Sequence, residues 1–215
     1  MNRVNHRIIL MISLLFILSS CSRTKETYYP NGTIKSEQAY KGKKLEGVST
    51  WYFDNGSKEL EINYVDNIPN GKSIRWYYSG KKESEETYVN GKLTGPSKKW
   101  DPESNLIEEI NYLNDSLDGP YMMYYEDGQI TIEGFYKMGL YDSTWSYYEI
   151  TGMKVGDGKY KNGKGLQRAY FPNGKLWRVI PYVNNKRNGT EIWYDQLGNE
   201  SKRVLYKNDI PVIGN

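Results

Sequence analysis

"YYPNGTIKSEQAYKGKKLEG", Tyr28 to Gly47, decides the fold because the chain writes it repeatedly. The glycine that closes the aromatic stretch recurs at Gly32, Gly56, Gly80, Gly128, Gly152, Gly174 and Gly198. Asn105 of "DPESN" takes the missing place, giving spacings of 24, 24, 25, 23, 24, 22 and 24. A second ladder, Tyr40, Tyr64, Tyr88, Tyr112, Tyr136, Tyr160, Tyr182 and Tyr206, keeps a spacing of 24 apart from one of 22. Two ladders with one period define a repeat protein of about eight units, each a supersecondary element stacked on its neighbours.

Within a unit the pattern has period two. Leu60, Ile62 and Tyr64 alternate with Glu59, Glu61 and Asn63, and Ile110 with Tyr112, Ile180 with Tyr182 and Val204 with Tyr206 share a face. This alternation predicts strands with one packed and one solvated face. "VNGK", "KNGK" and "PNGK" supply residues that tolerate positive φ in the turns between strands. A third landmark stands seven residues after the ladder tyrosine, at Gly47, Gly71, Gly95, Gly119 and Gly189, and Gly165 is expected to fill it in the unit shortened by two residues. The architecture is therefore all-β, a single-layer meander of antiparallel hairpins. Its 21 Tyr and 6 Trp suit a thin sheet, since these rings pack on one side while their polar tips reach water. The tyrosine pair of "YYPNG" is expected to send its rings to opposite faces, one packed and one offered to solvent or a partner.

The N-terminus reads differently. Arg3 and Arg7 precede an apolar run from Ile8 to Leu18, and small residues follow, which is the pattern of an export signal over residues 1–20. The run is shorter than the roughly 20 residues a spanning helix needs. "LSSC", Leu18 to Cys21, resembles the lipobox of bacterial lipoproteins. That resemblance implies cleavage before Cys21, acylation of Cys21 with palmitate-type chains, a lipid anchor and short tether over 21–27, and a repeat domain over 28–215. It also implies export from the cytoplasm to the bacterial cell envelope, lipid-anchored to a membrane. Removing residues 1–20 takes away Arg3, Arg7 and His6 and leaves 27 basic against 26 acidic residues, so the charge gives no reason to expect a nucleic-acid partner. Cys21 is the only cysteine, and no intramolecular disulfide is expected.

The repeat resembles MORN repeats, and more closely their bacterial variant, which occurs in proteins often labelled as antitoxins of toxin–antitoxin systems. "YYPNGTIKSEQAYKGKKLEG", "YYSGKKESEETYVNGKLTG", "YYEDGQITIEGFYKMG" and "YFPNGKLWRVIPYVNNKRNG" carry the resemblance, which covers Tyr28 to Tyr206. It implies an elongated, twisted ribbon of β-hairpins. The chain departs from the pattern at "WDPESN", in the shortened sixth unit and in the eroded last one.

Reactive groups are sparse. Without residues 1–20 the chain has no histidine, which excludes a His-based triad and His-ligated metal. The acidic spots Glu83 to Glu86 and Glu108–Glu109 alternate faces along a strand and do not converge. Asp54, Asp127 and Asp195 read as turn formers. "DGKYKNGKG" lacks the ending and strand–loop–helix context of a phosphate loop, and "NNKRNG" reads as a small basic turn. No catalytic residue, metal or cofactor is expected, and the chain reads as a non-enzyme. Trp51, Trp76, Trp145, Trp177 and Trp193 form the candidate interaction surface, as an exposed stripe beside the tyrosine ladder. The expected function is a non-catalytic, membrane-anchored protein-binding or scaffold module with an envelope protein as partner. An antitoxin or immunity-type protein, a structural envelope protein and a carbohydrate-stacking surface are the alternatives.

Overall fold

A computed structural model describes residues 22–212. Its twenty strand segments form one sheet, with successive strands antiparallel. Among the described residues the first strand, Ser22–Tyr28, and the last long one, Glu200–Lys207, do not pair with each other, so the sheet stays open. The product is the elongated single-layer meander that the period-two pattern predicts. The signal segment 1–20 and Cys21 lie outside the described residues.

The expected tether over 22–27 is instead strand. Ser22–Tyr28 pairs with Ile34–Lys41, from Ser22 opposite Lys41 to Tyr28 opposite Ile34. Its small and charged composition suggests a spacer, but Thr24, Thr27 and Tyr28 fit a pleated surface and complete the first hairpin.

Each unit contains two turns of different construction. In "YYPNG" the Gly32 N–H donates to Tyr29 O and the Tyr29 N–H to Thr33 O, both at 2.9 Å, with Gly32 at φ 86°. This is a type I turn followed by a glycine bulge. The same bonds recur from Phe53 to Ser57, Tyr77 to Lys81, Tyr125 to Gln129, Glu149 to Met153, Phe171 to Lys175 and Asp195 to Asn199. In "WDPESN" the glycine place belongs to Ser104, at φ 81°, and not to Asn105. The Ser104 N–H donates to Asp101 O, while Asn105 already sits where the return begins. With Ser104 in place the ladder runs at 24 residues from Gly32 to Gly152 without a break. A serine in a left-handed conformation is strained. Ser104→Gly is expected to stabilise the chain by about 1 kcal/mol, seen as a higher urea midpoint; a lower midpoint would show that the serine carries no strain.

The other turns have two central residues. Asp66–Asn67, Asn90–Gly91, Asn114–Asp115, Met138–Gly139, Asn162–Gly163, Asn184–Asn185 and Asn208–Asp209 all have positive φ at both positions, the type I′ geometry that matches strand twist. These turns also join the units. The Asn67 N–H donates to Leu45 O, and Asn67 Oδ1 accepts from the Leu45 N–H at 2.7 Å. Asp115 does the same for Leu93, and Asp209 for Arg187. Gly91 meets Pro69, which has no N–H to satisfy, so a glycine suffices there.

The seventh-place glycines mark a second bulge. Tyr64 pairs with Pro69 and Ile62 with Ser73, so three residues of the return strand face one of the outgoing strand. Gly71 lies in this bulge at φ 116° and Gly119 in its counterpart at φ 123°, where a Cβ would stand 2.8 Å from Asn111 Cβ. The sixth unit is shorter by two residues because it has no such bulge. Tyr160–Gly165 and Gly156–Ala169 belong to one unbroken register. Gly165 therefore does not fill the seventh place, and its φ is not positive. A Cβ there would lie 2.1 Å from Lys159 O and 2.7 Å from Tyr160 Cδ1, so this glycine clears the backbone of the facing strand first and the ring second. The side chain of Asn185 then spans the shortened unit: Oδ1 accepts from the Tyr141 N–H at 2.7 Å and Nδ2 donates to Gly139 O at 2.9 Å.

The tyrosine ladder defines the packed face, together with Ser49, Ile62, Ser73, Ile110, Trp145, Ile180 and Glu191. Its densest part lies in the fourth to seventh units. Tyr121, Tyr136, Tyr141 and Tyr160 surround Trp145 with ring centroids 4.7–6.5 Å from it. Glycines make the cluster possible: a Cβ on Gly134 would fall 2.2 Å from the Trp145 ring, and one on Gly158 2.3 Å from the Tyr160 ring. Burial drives the Tyr136 and Tyr160 hydroxyls far above the usual phenol range.

Candidate interaction surface

The second face carries two rows, an aromatic one over all eight units and a carboxylate one over the first six, whose place is taken by Val179 and Arg203 in the last two. One is the last strand residue before each glycine turn: Tyr28, Tyr52, Trp76, Trp100, Tyr124, Tyr148, Tyr170 and Tyr194. The other is a carboxylate in the outgoing strand of successive units: Glu37, Glu61, Glu85, Glu109, Glu133 and Asp157, each 24 residues from the next. Alternation and register place both rows opposite the packed face, since Glu61 faces Thr50 and Ile74 whereas Ile62 faces Ser49 and Ser73.

The rows interlock in two ways. At three of the tyrosines the hydroxyl donates to the carboxylate of the preceding hairpin: Tyr52 to Glu37 at 2.5 Å, Tyr148 to Glu133 at 2.7 Å and Tyr170 to Asp157 at 2.7 Å. Where the aromatic is tryptophan, a lysine replaces the hydroxyl. Lys58 lies 5.3 Å from the Trp76 ring centroid and pairs with Glu61 at 2.6 Å; Lys82 lies 5.0 Å from the Trp100 centroid and pairs with Glu85 at 2.7 Å. Glu85 has the strongest field, because Lys72 and Lys82 both bond it, and its carboxyl is held down at about 2. Burial, then the Glu37 bond, pushes the Tyr52 phenol up to about 12. A carboxylate depressed in the folded chain contributes stability above its unfolded pKa, and that stability is lost as the pH falls from about 4.5 to about 2. The carboxyl of Glu85, followed by NMR, is expected to titrate near pH 2 and to return toward 4.5 in the double variant Lys72→Ala, Lys82→Ala. An unaltered titration would remove these lysines as the cause.

The second aromatic of each pair does not point to a partner. Tyr29, Tyr77 and Tyr125 donate their hydroxyls to the carbonyls of Tyr52, Trp100 and Tyr148, 23 residues further on, and so join neighbouring units. The tryptophans do not form one stripe. Trp51, Trp145 and Trp193 follow the register of the packed face, and Trp145, at 3% exposed, is the core itself. Trp76 and Trp100 lie in the aromatic row of the other face. Trp177, the extra residue of a bulge, is the one exposed tryptophan among the described residues, at 39%, beside Phe171 and Arg178. The sequence reading missed the carboxylate row, although aligning the units on the tyrosine ladder brings Glu37 to Asp157 into one column.

The acidic spots separate as expected. Glu85 meets Lys72 and Lys82 on one face while Glu86 accepts from Tyr88 on the other. Among the described residues no group of three or more His, Cys, Asp or Glu could hold a metal ion.

An open, single-layer meander stitched at both long edges, with a period of 24 residues and no convergent reactive groups, defines the class of β-hairpin repeat proteins. The model of the MORN repeat variant matches residues 24–41, 45–66, 69–90, 93–114, 117–138 and 163–184, and the chain belongs to that family. No curated protein matches the chain. Two longer stretches outside the matches, 139–162 and 185–212, hold the buried side chains of Trp145 and Glu191. MORN-repeat architecture is consistent with a non-catalytic protein.

Proposed function

We propose that the chain is a non-catalytic, protein-binding scaffold module that presents the aromatic–carboxylate face to an envelope partner. The observation that carries this is the pair of partly exposed rows, which run together through the first six units. A partner can engage several units at once, and modest contacts then add along the array. The carboxylates on this face are each met by a lysine, an arginine or a tyrosine hydroxyl, an arrangement that suits recognition and not acid–base chemistry.

The lipobox-like "LSSC" supports a lipid anchor at Cys21 and a place in the bacterial envelope. Mass spectrometry of the N-terminal peptide is expected to find Cys21 acylated; an unmodified cysteine contradicts the anchor. Crosslinking in the native envelope, followed by identification of bound proteins, tests the scaffold reading. One or a few stoichiometric protein partners are expected. A single toxic protein would turn the reading to an immunity type, as the antitoxin-labelled relatives suggest. Glycan alone would favour the carbohydrate alternative, and a shape defect without any stable partner would favour a structural role.

A further inference from the structure

The packed face has a gap in its sixth unit. A row of side chains crosses this face from Ser36 to Lys202, one residue from each long strand, each opposite the next in register. Gly156 and Ala169 are the one pair of successive positions in that row with nothing larger than a methyl group. A Cβ on Gly156 would stand 2.8 Å from Arg168 O and 3.3 Å from Tyr147 Cδ2, so the gap is built into the strand spacing.

The gap is a pocket of about 250 Å³. Tyr147 bounds it on one side and Arg178 on the other, next to Trp177. Among the described residues its charged lining is Arg168 and Arg178, with no carboxylate. Arg168 is engaged elsewhere, 3.5 Å from Asp157. Arg178 lies 5.1 Å from the Trp177 ring centroid, and its Nη1 stands 3.4 Å from buried Glu191, which holds the guanidinium in place. Arg178, Arg187 and Lys202 against Glu191 and Asp209 leave this neighbourhood one positive charge in surplus. Gln167, two residues from Ala169, accepts from the Tyr182 hydroxyl through Oε1 at 3.2 Å, and among the described residues its amide nitrogen is an unused donor.

Aromatic and methyl groups around a hollow, with a guanidinium and an amide N–H at its side, fit an acid with an apolar ring. The ring packs on Tyr147, Ala169 and Trp177, and the carboxylate takes charge-assisted hydrogen bonds. The volume is below the roughly 300–1,000 Å³ of drug-sized sites, which limits the ligand to about one ring. We propose that this pocket binds a small aromatic carboxylate. The hollow admits one ring and lies on the face turned away from the aromatic–carboxylate rows, so its occupant is a free molecule and not the protein partner. The site therefore stands or falls separately from the scaffold reading.

The test titrates the full chain in lipid nanodiscs with 4-fluorophenylacetate, followed by its fluorine NMR line width, with empty nanodiscs as the blank. Saturable binding is expected, with a Kd on the order of 1 mM for a ligand of this size, and phenylacetate should compete. Acetate lacks the ring and phenethylamine reverses the charge, and neither should compete. Arg178→Gln should weaken binding about tenfold or more. That variant also removes a partner of Glu191, so two others test the pocket with the charges intact. Ala169→Leu fills the floor and should abolish binding, and Trp177→Ala, at an exposed position, should weaken it several-fold, both with the circular dichroism of the parent. No saturable binding by the parent, an affinity unchanged in Ala169→Leu or Trp177→Ala, or competition by acetate or phenethylamine overturns the proposal. Glycyl-glycyl-phenylalanine carries the same ring and acid at a chain end and should compete several-fold more weakly than phenylacetate; an equal or tighter fit overturns the free-ligand assignment.

Discussion

Trp145→Ala is expected to destabilise the chain by about 3–5 kcal/mol, the range for removing a large aromatic from a close-packed core. The ring is 3% exposed, lies over Gly134 and meets four tyrosines. Its indole N–H also donates to Phe135 O and Asp142 O, both at 3.2 Å, next to a bulge where Ser143 sits at φ 60° in place of the usual glycine. The loss therefore combines a cavity with two carbonyls left without their donor. Trp145→Phe keeps much of the ring and removes the N–H, and it should fall between the parent and the alanine variant. Because repeat arrays can unfold in parts, urea melts should be paired with hydrogen exchange. Exchange should accelerate in the fourth to seventh units and remain near the parental rate in the first two. Uniform acceleration would mean that the array unfolds as one unit, and no loss of stability would remove Trp145 from the core.

Glu191→Ala should also destabilise the chain measurably. Glu191 is 1% exposed, lies 3.4 Å from Arg178 and 3.6 Å from Arg187, and neither carboxylate oxygen has a hydrogen-bond partner. The pair of arginines compensates the buried charge by Coulomb attraction alone. Removing the carboxylate leaves two cations facing each other, but Arg178 and Arg187 are 31% and 35% exposed, so water takes over part of their charge and the expected loss falls below the roughly 3–5 kcal/mol of a fully buried pair. Arg187 keeps a bridge to Asp209 at 3.5 Å and stacks 4.2 Å from the Tyr206 ring centroid, which lowers the expected loss further. Replacing Glu191, Arg178 and Arg187 together with leucine, methionine and methionine should recover most of it, because no charge is then buried. If Glu191→Ala alone is neutral, the triad is solvated and adds nothing to the fold.

The architecture was legible because the repeat shows in two independent columns. A tyrosine every 24 residues, and turn residues at fixed offsets from it, leave little freedom once alternation sets the faces. The errors came from positions where another residue type fills a backbone role. Ser104 holds a left-handed place normally given to glycine, so counting glycines moved the ladder by one residue onto Asn105. Gly165 is a glycine for a different reason, to clear the Lys159 carbonyl and the Tyr160 ring, and so it resembles in sequence a bulge residue that the sixth unit lacks. The strand Ser22–Tyr28 was hidden by its charges, because an outermost strand has the composition of a linker.

The candidate surface was less legible. Tryptophans stand out in a sequence, but their face depends on register, and the bulges shift register twice in most units. Trp51 and Trp76 lie on opposite faces because they stand 25 residues apart, one more than the repeat, so that Trp76 aligns with Tyr52 and Trp51 with Arg75. The carboxylate row was visible only as a column, one acidic residue per unit among many.

The account stands most directly on which face meets the partner. A photo-crosslinking residue placed in turn at Trp76, Tyr124 and Tyr148 on the aromatic row, and at Gln38 and Gln167 on the packed face, measures this in the native envelope. The expected result is a discrete protein adduct from the three aromatic-row positions and none from the two packed-face positions. Adducts from the packed face alone, or none from either face, would contradict it.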